Sequence, residues 1–157
     1  MNFLAHLHPE VVHFPIAFFI IYSLLEIVGA VLKKEFFSKA AHLFLFLGVL
    51  GAVAAVLTGN AAENSAHLLA KTGINVPKSA IGEHEDFATF TLWYFAGLLF
   101  IRTMYVLKKK FSGNIKYFFA VLSLAGALLV YNTGRLGGKL VYKYGVGTDL
   151  IKRELKK

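Results

Sequence analysis

Four histidines converge on one end of the apolar runs in this 157-residue chain, and that convergence is the feature with the most chemistry in it. Helical rise turns sequence into depth: from His13 to Lys33 is a climb of about 30 Å, roughly the hydrocarbon thickness of a bilayer. Counted from the lysines of the opposite end in the same way, His8, His13, Gly59, His67, His84 and Arg135 all reach one membrane face. His42 stands alone at the other. Neutral imidazole is an axial ligand for haem iron, and haem b needs no covalent attachment. Cysteine is absent, which excludes disulfides, iron–sulfur ligation, thiolate zinc and c-type haem linkage.

His13 and His84 are the leading pair of axial ligands. His13 enters an apolar run between Val12 and Phe14, and ionisable residues inside spans usually face a partner or a cavity. His84 shares a helix face with Ala88, Thr91, Phe95 and Leu98. His8 and His67 are the alternates; a structural reading makes His8 a cap before Pro9 and His67 an interfacial residue. Gly48 and Gly59, in a stripe with Gly51, Ala52 and Ala55, would give a flat macrocycle clearance, although small residues serve bare helix packing equally well. Arg135 and Lys139 stand at the level where haem propionates would want cations. A competing reading places a divalent metal on His8, Glu10, His13, Glu83 and His84, since imidazole and carboxylate suit zinc or iron. That spacing matches no metal motif.

The elements that must hold these residues are transmembrane helices. The chain is 57% hydrophobic and 17% charged, with mean hydropathy +0.60, against about half apolar and a quarter charged for soluble domains. Apolar runs cover residues 11–32, 40–59, 87–107 and 117–134. They predict an all-α bundle of four transmembrane helices, at about 9–32, 40–59, 80–109 and 116–136, filling a domain of residues 1–147. Pro9 and Pro15 fit a first helical turn, so the first helix is expected to begin near Pro9. AAENSAHLLAK reads as a separate interfacial helix, and residues 148–157 as a basic amphipathic tail. No internal repeat is visible.

The short loops carry Lys33, Lys34, Lys39, Lys108, Lys109, Lys110 and Lys116, which puts them in the cytoplasm and both termini outside. The basic tail argues the other way. The net charge of +8 reports loop topology here, and no nucleic acid is expected. Glu26 and Arg102 lie at matching depths near the inner face, and a buried charge is costly unless paired. An ion pair between the first and third spans is therefore expected, with Arg102 reaching alone to the headgroups as the other possibility.

HPEVVHFPIA at residues 8–17, TG at 58–59, the histidine opening the third span and GRLGGKLVYKYGVG at 134–147 resemble a family of small four-helix bacterial membrane proteins, domain of unknown function 2231. The resemblance covers nearly the whole chain. It implies a four-span bundle, and relatives joined to c-type cytochrome or Rieske-like modules imply electron transfer. The positions it singles out are His8, Pro9, His13, Pro15, Gly59, His84, Gly137, Gly138, Tyr142, Gly145 and Gly147. Tyr144, where the family commonly has histidine, and Lys139, where an acid is common, depart from it and put a second metal site near the C-terminal motif in doubt.

The expected function is an electron-transfer subunit of the bacterial inner membrane. It would bind haem b and pass electrons between a periplasmic cytochrome or Rieske-type protein, or another membrane redox subunit, and quinone or another haem. A cofactor-free structural or assembly subunit is the alternative, and a metal-binding membrane protein the third reading. No nucleophile–base–orienter set is present, so independent catalysis is not expected.

Overall fold

Inside a bilayer every backbone N–H must find its acceptor within its own segment, so long apolar runs become helices. A computed structural model describes residues 3–70 and 76–146, with the backbone alone for residues 64–70. The helices are α1 (Phe3–Val11), α2 (His13–Leu32), α3 (Glu35–Ala70), α4 (Lys78–Leu107) and α5 (Asn114–Tyr144). The described residues contain four segments long and apolar enough to cross a membrane, α1 and α2 together forming the first. The C-terminal residues 148–157 lie outside the described residues.

Three boundaries differ from expectation, each for a local reason. The first span begins at Phe3, not near Pro9. Pro9 has no N–H for the Ala5 carbonyl, a single lost bond close to the helix end. Pro15 likewise leaves the Val11 carbonyl without its donor, and the helix divides at Val12. Bonds from Val12 N–H to the His8 carbonyl (3.1 Å) and from Ile16 N–H to the Val12 carbonyl (3.4 Å) carry the chain through. The second span does not stop at Gly59; α3 continues to Ala70 and absorbs the segment expected as a separate helix, because nothing between Asn60 and Ala70 breaks a helix. The last span runs past 136 to Tyr144 and keeps Gly137 and Gly138 helical. It ends at Gly145, whose left-handed φ of 69° lets its N–H reach back to the Val141 carbonyl.

Packing sets the order around the bundle. α2 touches α3 and α5, α4 touches the same two, and α2 and α4 therefore face each other diagonally across the centre. At that centre the Phe19 and Phe95 rings stack with centroids 3.7 Å apart and planes 7° from parallel. Glycines admit both rings. A Cβ on Gly48 would stand 2.5 Å from the Phe19 ring, and one on Gly126 2.5 Å from Phe95. Gly48→Ala is accordingly expected to lower stability by about 1–3 kcal/mol through overpacking, read as a lower unfolding midpoint in detergent. Outward, Leu24, Leu57, Trp93, Phe100, Val121 and Leu128 are exposed, a surface for lipid and not for water.

Candidate functional site

One offset governs the centre of the bundle. Glu26 on α2 bonds Arg102 on α4, 76 residues away. Phe19 stacks on Phe95 at the same offset. His8 and His84 are the third pair with that offset, and they lie within electrostatic reach of one another. Two helical hairpins, α1–α2–α3 and α4–α5, thus meet as approximate equals, and what falls on one α2 level meets its counterpart on α4. The repeat is geometric, since the paired residues are chemically unlike at the ion pair.

Each histidine is held by the second helix of its own hairpin in the same way. His8 Nδ1 lies 3.0 Å from Thr58 Oγ1 on α3. The Thr58 hydroxyl also lies 3.0 Å from the carbonyls of Ala54 and Ala55, and with its one proton given to either of them its oxygen accepts from His8 Nδ1–H. His84 Nδ1–H donates to the Thr133 carbonyl on α5 at 3.2 Å. A carbonyl can only accept, which fixes this tautomer too. Both rings lie against glycine. A Cβ on Gly59 would stand 3.1 Å from His8 Cε1, and one on Gly137 3.0 Å from His84 Cε1. With both Nδ1 atoms protonated and anchored, both Nε2 atoms keep a free lone pair, the state in which imidazole binds metal.

The other expected site residues fall elsewhere. His13 is exposed at the start of α2. Five residues of helix separate it from His8, which turns it about 140° around the axis. His8, the alternate, takes the inward place because α1 packs on α3. Gly48 serves the Phe19 ring deep in the core and gives no clearance beside the histidines. Gly59 does lie under His8. Arg135 and Lys139 are exposed on α5; each is two residues from Gly137, about 200° around the helix, so they reach the histidine level only around the rim. The His67 side chain is outside the described residues. Glu10 and Glu83 are exposed like His13, and among the described residues no three His, Cys, Asp or Glu side chains gather as a metal site. Thr58 and Thr133 were missed as supports. Their sequence signal was the TG dipeptide at 58–59 and again at 133–134, standing 50 and 49 residues after the two histidines.

Near the other face the structure brings Glu26 and Arg102 together. Arg102 Nη2 lies 3.0 Å from Glu26 Oε2 and Nε donates to the same oxygen at 3.1 Å. Arg102 is 1% exposed and Glu26 2%. The remaining guanidinium donors go to His42 Nδ1 (2.9 Å), the Ser38 carbonyl (2.9 Å) and Ser38 Oγ (3.1 Å), and the Phe111 ring covers the group at 4.2 Å. Each of the three guanidinium nitrogens therefore has a partner, as burial requires. Arg102 does not run to the headgroups alone.

A four-span helical bundle with an outward apolar surface, two glycine-backed histidines near one end and a buried ion pair near the other is a multi-pass membrane protein. The family described as predicted membrane protein (DUF2231) matches residues 5–150, and the chain belongs to it. Comparison with curated proteins finds no match, and comparison with solved structures finds none.

Proposed function

We propose that His8 and His84 are the axial ligands of a b-type haem, and that the protein is an electron-transfer subunit of the bacterial cytoplasmic membrane. The observation that supports this most is the matched support of the two imidazoles: each Nδ1 lies within hydrogen-bond distance of the neighbouring helix, at Thr58 and at the Thr133 carbonyl, which leaves Nε2 of each ring for a ligand. The two neutral imidazoles of His8 and His84 would hold the iron of such a group. Bound there, haem would supply a one-electron carrier. Thr58 and the Thr133 carbonyl orient the rings, and hydrogen bonds of this kind raise ligand basicity. Gly59 and Gly137 let each ring lie close to its supporting helix.

Lysine-rich short loops support a periplasmic location for both termini and for the histidines, facing a periplasmic cytochrome or Rieske-type partner, with quinone or another haem as the second partner. A periplasm-only reporter enzyme fused after Lys157 should be active; an inactive fusion reverses the orientation. Protein expressed with ample haem should give a pyridine haemochrome of the b type and sharp α and β bands on reduction. A correctly folded but colourless preparation would contradict the proposal and favour a cofactor-free structural subunit. Gly137→Ala, which presses a methyl against His84, is expected to keep the haem but shift these bands, measured in the same spectra.

A further inference from the structure

The tautomer argument gives a different result for His42, and that difference defines a second site. Arg102 Nη1 meets His42 Nδ1 at 2.9 Å. Guanidinium donates and never accepts, so Nδ1 is the acceptor and the neutral ring carries its proton on Nε2. His42 lines a groove of about 400 Å³ between α3 and α4, with Phe46, Ala96, Phe100 and Thr103 among its walls. No other described residue holds the His42 ring by a hydrogen bond, so Nε2–H is the donor the groove offers. Phe46 is 47% exposed and Phe100 65%, which opens the groove sideways to lipid. The positive charge behind His42 is already spent on Glu26.

These features specify an occupant. It arrives through the bilayer, since the groove faces lipid. It is uncharged, because no free ion stands in the groove to meet a charge. It brings a carbonyl oxygen for Nε2–H, since an N–H left without an acceptor in apolar surroundings costs about 1–3 kcal/mol. It is otherwise apolar, because the walls beside His42 include Phe46, Ala96, Leu99 and Phe100. His42 stands three residues inside Lys39, about 4.5 Å below the level of that charge, where a polar ring on an apolar chain settles. We infer that the groove binds the ring of a lipid-soluble quinone, with His42 Nε2–H donating to one ring carbonyl. Thr103 lies about 28 Å along α4 from His84, so this site is separate from the histidine pair and stands or fails independently of it.

The test uses the full-length protein in detergent with ¹⁵N-labelled histidine, titrated with decylubiquinone. The His42 Nε2–H resonance should shift saturably. Ala96→Phe, which fills the groove without touching the Arg102 network, and His42→Phe should each weaken binding about tenfold or more, with the haem spectrum unchanged. A phospholipid bearing ester carbonyls but no ring should not displace the quinone. Absence of a saturable shift in the parent protein, unchanged binding in Ala96→Phe, or displacement by the ring-free phospholipid overturns the inference.

Discussion

His8→Ala and His84→Ala are each expected to convert a low-spin haem spectrum to high-spin, or to abolish haem retention, because each would remove one of the two proposed ligands. Loss of either imidazole leaves iron with an open position, and added imidazole should refill it and restore the low-spin bands. His13→Ala and His42→Ala should leave the spectrum unchanged. His13 is exposed, and the His42 nitrogen nearest Arg102 is already engaged. The contrast between His8 and His13 carries the most information. Sequence favours His13, whereas the geometry favours His8, so a dead His13→Ala beside an intact His8→Ala would reject the ligand assignment while sparing the fold.

The second large effect concerns stability. Glu26→Gln is expected to lower the unfolding free energy in detergent by about 3 kcal/mol, because it leaves the Arg102 charge buried with neutral partners only. The double variant Glu26→Gln with Arg102→Met should recover part of that loss, since it removes the stranded charge along with its partner. Thermal or denaturant unfolding of the two single variants and the double variant measures the coupling. Simple additivity would mean that the 3.0 Å contact contributes nothing to stability.

How much of this could be read from the sequence depends on which physical signal each feature left. The four spans were legible because twenty apolar residues have one solution in lipid. The Glu26–Arg102 contact was legible because both are charges at one depth in apolar runs, and depth follows from helical rise alone. Which histidine pairs with His84 was not legible in that way. Depth admitted both His8 and His13, and the choice depends on which side of the first helix faces α3. Pro9 and Pro15 suggested a late start, but a helix beginning at Phe3 and dividing at Val12 sends His8 inward. Gly48 and Gly59 looked alike in the sequence, one stripe on one helix; only packing assigns the first to Phe19 and the second to His8. The family resemblance had singled out His8, Gly59, His84 and Gly137, the four residues that form the two ring-on-glycine contacts. The two-hairpin relation escaped notice because opposed partners need complementary chemistry, and Glu opposite Arg leaves no similarity to detect.

The measurement that tests the central claim most directly is electron–nuclear double resonance on the oxidised protein, prepared with and without ¹⁵N-labelled histidine. Two axial imidazole nitrogens on low-spin ferric iron are expected in the parent protein and in His13→Ala, with one of them lost in His8→Ala and in His84→Ala. A parent spectrum with a single histidine nitrogen, or one whose second nitrogen disappears in His13→Ala and persists in His8→Ala, would contradict it.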